Sequence, residues 1–173
     1  GDDSLIVTGN LDLDGELSGL TTLSVSGDSN LAANVSTSST QTYTGGVTLD
    51  GARTLTASTV NFGSTAAGDG DDSLIVTGNL DLDGELSGLT TLSVSGTSNL
   101  AANVNTSSTQ TYTGGVTLDG ARTLTASTVN FGSTAVGDGN DSLIVTGNLD
   151  LDGELSGLTT LNVSGTSNLA ADV

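Results

Sequence analysis

No cysteine, histidine, lysine, tryptophan, methionine or proline occurs anywhere in the 173 residues. Without Cys there are no disulfides to staple the fold, although that absence does not identify a compartment. Without Cys and His, most metal-ligand, nucleophile and general-base chemistry is removed. What remains for metals is oxygen, the ligand of hard cations such as calcium. Aromatics usually supply large buried area, yet there are four: Tyr43, Phe62, Tyr112 and Phe131. Positive charge is nearly absent too. Arg53 and Arg122 stand against 20 acidic residues, for a net charge of −18. Nucleic-acid binding needs Lys and Arg to displace counterions from phosphates, so it is excluded as a partner class. The same deficit argues against docking on an anionic membrane surface. No run of 18 apolar residues exists, so no membrane insertion is expected of this segment. No signal peptide is visible. The chain begins inside a repeat, so any export signal is expected to lie outside it.

What is present is Leu, Val and Ala among Thr, Ser, Asn and Asp, with 25 Gly. Thr and Val suit strands, and Gly, Ser, Asn and Asp suit turns. The order is repetitive. Asp3-Ser4-Leu5-Ile6-Val7 recurs as Asp72-Ser73-Leu74-Ile75-Val76 and again, at the same interval, from Asp141 to Val145. The tandem units are residues 1–69, 70–138 and a partial third, 139–173. Copies one and two differ at Asp28/Thr97, Ser36/Asn105 and Ala67/Val136 and match nearly everywhere else. Such uniformity makes length and a repeated surface. An enzyme site, by contrast, needs a few residues unlike their surroundings.

Each unit contains a second, weaker period. Leu5-Ile6-Val7-Thr8-Gly9, Leu23-Ser24-Val25-Ser26-Gly27, Tyr43-Thr44-Gly45-Gly46 and Leu55-Thr56-Ala57-Ser58 each lead through a turn into another short alternating segment. Period-two alternation marks half-buried strands, and no segment shows a capped 3.6-residue period. The expected class is all-β. A string of small β-sandwich domains is one way to arrange such strands. The sub-repeat favours the other, a parallel β-solenoid of about four rungs per unit and about 17 residues per rung. The absence of Pro agrees, because every rung must donate its N–H groups to the next. Stacked columns are expected at Leu5, Leu23, Tyr43 and Leu55, and at Leu11, Leu31, Leu49 and Val60 or Phe62. Leu13 and Val25 should also be buried, and Asp12, Asp14 and Glu16 exposed.

The runs Leu23-Ser24-Val25-Ser26-Gly27, Thr40-Gln41-Thr42-Tyr43-Thr44-Gly45-Gly46-Val47-Thr48-Leu49 and Arg53-Thr54-Leu55-Thr56 resemble the β-strand repeats of giant bacterial surface proteins of the filamentous-haemagglutinin adhesin type. The resemblance covers the whole chain through low-complexity motifs. It implies a secreted or cell-surface, fibre-like stalk used for attachment or matrix formation, and it transfers no catalytic residue.

Several acidic motifs invite chemistry. Gly68-Asp69-Gly70-Asp71-Asp72 and Gly137-Asp138-Gly139-Asn140-Asp141 are similar to the calcium-binding nonapeptide of toxin-type β-rolls, with Ala67 in place of the first Gly. Asp69, Asp71, Asp72, Asp138 and Asp141 are therefore the metal-site residues, for calcium, against the plainer expectation of a solvated acidic loop. Asn10-Leu11-Asp12-Leu13-Asp14-Gly15 mimics the start of an EF-hand loop but has Thr21 where that loop needs its last Glu. Carboxylate pairs suggest glycoside hydrolysis, but these acids repeat on strand faces rather than in a cleft. Thr22, Ser24, Thr42, Thr44, Thr54 and Thr56 could form a hydroxyl ladder facing an ice or carbohydrate surface, interrupted by Ile6, Ile75 and Ile144. Asn-x-Ser acceptor patterns, as at Asn34-Val35-Ser36, arise readily in such composition. The expectation is a structural shaft rather than an enzyme, with no cofactor unless calcium. Its partners are neighbouring repeats of the same chain and self-association into fibres. A calcium-dependent or ice- or carbohydrate-binding module is the alternative.

Overall fold

The computed structural model describes residues 3–173. It is all-β and helix-free, with every strand pair parallel. The reason is local. Alternation of Leu or Val with Ser, Thr or Asn over a few positions makes a strand with one dry face, and Gly, Asn and Asp turn the corner. Between Leu5 and its stacked partner Leu23 the chain makes two further sides, Leu11–Leu13 and Leu17–Leu20, so each turn has three sides. One inward column runs Leu5, Leu23, Gln41, Val60, Leu80, Ser98, Val116, Ala135 and Leu155, one residue from each of nine turns. The steps from Leu23 to Gln41, from Gln41 to Val60 and from Val60 to Leu80 lengthen by one position each time, so the turns are not all of one length. This is a β-solenoid.

The register corrects the expected columns. Leu5 and Leu23 do stack, but Tyr43 lies between Val25 and Phe62, and Leu55 lies between Val35 and Val76. Leu11 stacks on Ser29, and Leu31 lies between Leu13 and Leu49. The physical reason is the pitch. A turn is longer than the expected rung because the third side, such as Leu17–Leu20 or Val35–Thr37, carries its own column.

A repeat supplies eleven sides, from Ser4–Val7 to the side that begins at Ala66, before Ser73 and Leu74 restart the pattern. Arg53–Phe62 contributes two of them: Leu55 and Thr56 pair with Val35 and Ser36, whereas residues 59–62 pair with Thr40–Tyr43. Eleven is not a multiple of three. Each copy therefore begins one side away from where the previous copy began. Val7 stacks with Val25, its equivalent Val76 stacks with Leu55, and Val145 stacks with Leu124. These three columns belong to three different sides of the turn. Three whole repeats make eleven whole turns and restore the phase.

No linker separates the copies. The strand Ala66–Leu82 runs through the junction at Gly70, with a bulge between Ala67 and Ser73. Between the first and the last turns the inward residues are buried, including Leu23, Val25, Leu31, Tyr43, Leu49, Leu55 and Phe62, whereas Leu161 and Val163 in the last turn are half-buried and Leu169 is exposed. Leu5, Leu11 and Leu13 are half-buried in the first turn, while their equivalents Leu74, Leu80 and Leu82 are fully buried in the middle. Asp12, Asp14 and Glu16 face solvent. Tyr43 stacks on Phe62, and Tyr112 on Phe131, each with centroids 5.6 Å apart. Corners are tight enough to select residue type. Gly78 has φ +130°, and a Cβ there would meet the Ala57 carbonyl oxygen at 1.8 Å, so only Gly fits.

Candidate functional site

The acidic glycine loop is built around its last carboxylate. Gly68 leaves room for close approach, since a Cβ there would lie 2.7 Å from an Asp72 oxygen. Asp72 turns inward and is 4% exposed. Its Oδ1 accepts the Gly51 N–H at 2.7 Å, and its Oδ2 accepts the Asp69 N–H at 2.9 Å. Asp69 in turn accepts the Asp71 N–H at 3.1 Å, and Thr90 donates its hydroxyl to the Gly70 carbonyl at 3.1 Å. The next copy repeats the two bonds between the aspartates and the loop amides. Asp141, 3% exposed, accepts the Asp138 N–H at 2.8 Å, and Asp138 accepts the Asn140 N–H at 2.8 Å. A carboxylate that accepts backbone N–H groups satisfies donors that would otherwise be lost where the ladder bulges.

The five residues expected from the sequence to hold calcium therefore divide. Asp72 and Asp141 are buried and bonded to backbone amides, whereas Asp69, Asp71 and Asp138 are exposed. Among the described residues, no group of three or more His, Cys, Asp or Glu side chains is placed to hold a metal ion. Replacing Asp72 with Ala strands the N–H groups of Gly51 and Asp69. We expect a loss of about 2–4 kcal/mol in urea unfolding, from two stranded donors, and the same loss in the presence of a chelator. A loss seen only when calcium is present would mean that a metal, rather than the amides, holds this carboxylate in place.

Sequence reasoning missed the burial of Asp72. One signal was available: Asp71 is replaced by Asn140 in the next copy, whereas Asp72 is kept as Asp141.

Three equivalent strand acids are partnered from the neighbouring turn. Asn30 donates its side-chain amide to Asp12 at 3.0 Å, Asn99 to Asp81 at 3.0 Å and Asn168 to Asp150 at 2.8 Å. No two of these acids face each other in the stack: Asn30 and Thr48 follow Asp12, and Asn99 and Thr117 follow Asp81.

The hydroxyl ladder is short. Thr22, Ser24 and Thr42 share one side, with Thr40, Thr59 and Asn61 beside them. Thr54 lies on another side, stacked with Ile75, and Thr56 lies between Ser36 and Thr77. Above Thr59 and Asn61 the two ranks continue as Asn79 and Asp81. The equivalent set in the next copy, Thr91, Ser93, Thr109 and Thr111, belongs to the adjacent side of the turn. No uninterrupted plane of threonines forms among the described residues.

Two phenols complete the titratable groups of interest. Tyr43 and Tyr112 are fully buried, and burial pushes both above the usual phenol range. No family model, curated protein or solved structure matches the chain.

Proposed function

We propose that this segment is the repetitive shaft of a secreted or cell-surface fibre of bacterial adhesin type. It sets length and presents a repeated acidic, hydroxyl-rich surface for attachment or matrix formation. The observation that carries this reading is the strand Ala66–Leu82, which takes the parallel ladder through the repeat junction with no hinge. A solenoid whose rungs contact only their neighbours grows in one dimension and gains stability with each repeat. The resemblance to surface-protein repeats and the net charge of −18 fit a soluble, extended fibre. No catalytic role is assigned to any residue.

The test is contour length. Arrays of two, four and six repeats, imaged by negative-stain electron microscopy, should lengthen by about 18 Å per repeat, from about 4.8 Å per turn. Particles that widen rather than lengthen as repeats are added would sink the shaft reading. Attachment is read separately, by displaying the same arrays on a non-adherent cell and measuring retention on a surface.

A further inference from the structure

The buried glutamine inside each repeat has a role that apolar packing does not supply. Four sides of one column, Ser4–Val7, Thr22–Val25, Thr40–Tyr43 and residues 59–62, share one inward–outward pattern. Burial alone lets any of them stack on any other, so a turn could be looped out with little loss of buried area. Gln41 breaks that equivalence. It is wholly buried, and its amide donates to the Val35 carbonyl of its own turn at 3.1 Å and to the Thr56 carbonyl of the next turn at 2.9 Å. Its carbonyl accepts the Tyr43 hydroxyl at 3.2 Å, and the Tyr43 ring stacks on Phe62 of that same next turn.

Gln110, Tyr112 and Phe131 repeat the arrangement, with donations to Val104 at 3.1 Å and Thr125 at 2.8 Å. The set stands where the stacking offset shortens by one position. Val35 pairs with Leu55 before that point and Thr40 pairs with Thr59 after it, and Ser39 between them accepts N–H bonds from both Ser58 and Thr59. By contrast, the interior hydroxyls of Ser29, Thr37, Ser98 and Thr106 have no partner. We infer that the Gln41–Tyr43 and Gln110–Tyr112 pairs are register keys, which select the turn that stacks next and hold the stack to one alignment. Stacked on any other turn, the amide would lose the Thr56 carbonyl and face an apolar wall, a penalty borne only by the wrong alignment.

Because the chain lacks Cys, a disulfide between two introduced thiols reports which turns touch. Thr42 and Asn61 are outward register neighbours, and Asp81 follows Asn61 one turn further on. Thiols on adjacent turns lie within disulfide reach, and thiols two turns apart do not. The pairs Thr42→Cys with Asn61→Cys and Thr42→Cys with Asp81→Cys are oxidised with copper phenanthroline, in the native background and with Gln41→Leu, Tyr43→Phe, Gln110→Leu and Tyr112→Phe. The four replacements keep shape while removing both partners of each Gln–Tyr bond and the amide donor to each backbone carbonyl. In the native background the adjacent pair should exceed the skipped pair by about tenfold or more, and in the replaced background that ratio should fall below about threefold while the parallel-β circular dichroism persists. An unchanged ratio would overturn the inference, leaving alignment to burial and turn length. Loss of the folded spectrum would overturn it equally, by making the pairs supports of stability rather than of alignment.

Discussion

Replacing Leu82 with Asp will cost more than about 4 kcal/mol, because it places an unpaired carboxylate in a closed apolar column. Leu82 is fully buried between Phe62 of the turn before and Leu100 of the turn after. Neither neighbour can pair with a charge, and both arginines are engaged at corners, Arg53 with the Asp50 carbonyl and Arg122 with the Asp119 carbonyl. The same substitution at Leu13, its equivalent one repeat earlier, should cost markedly less. Leu13 is half-buried and has a stacked neighbour, Leu31, on one face only. Urea unfolding of both variants measures the difference. Hydrogen exchange on the Leu82→Asp protein should show opening centred on residues 62, 82 and 100. Equal losses at the two positions would mean that stacking on both faces does not set the energetics of the column.

Alkali should unfold the protein cooperatively, and the tyrosines are the reason. Tyr43 and Tyr112 are buried against apolar walls, which disfavours phenolate and raises both groups above their ordinary value. The folded state thus keeps a proton that the unfolded state gives up. The stability this represents is fully present below about pH 10, the ordinary phenol value, and is lost as pH rises beyond it. The slope is about 1.4 kcal/mol per pH unit for each tyrosine, or about 2.7 for the two. Phenolate absorbance near 295 nm should therefore appear together with the loss of β-sheet circular dichroism, in one transition. Phenolate forming at about pH 10 with the sheet intact would show that water reaches these rings. The variant Tyr43→Phe with Tyr112→Phe should shift the transition to higher pH.

The solenoid was legible because its signals are local. Alternation in Leu23-Ser24-Val25 or Leu11-Asp12-Leu13 declares a strand whatever it stacks upon, and the copies declare the period. The number of sides was not legible. Corners here are short and use the same Ser, Thr, Asn and Gly as the strands. The third side is also the least regular, with Gly19 inside Leu17–Leu20 and Arg53 opening the equivalent side two turns later. Without that side, the turn is counted short and Tyr43 is paired with Leu55 rather than Phe62. Asp72 was hidden for a different reason. Its partner Gly51 is distant in the chain, and the one mark that separates it from an aspartate in solvent is its retention as Asp141 where Asp71 becomes Asn140. Gln41 could have been found: it shares the inward phase of Tyr43 two positions on, and a polar residue in that phase needs internal partners.

The mismatch between eleven sides and three has a consequence for valency. In a long array of such repeats, a given surface group recurs about 18 Å further along the axis, but round a corner, on another side. It returns to its own side only after eleven turns, or about 53 Å. A rigid partner lying along one side therefore meets copies of its epitope about 53 Å apart, too far for two heads on a short tether to engage together. Avidity is reserved for partners that span that distance or wrap the shaft. Small soluble ligands would bind each copy singly, at the affinity of one site.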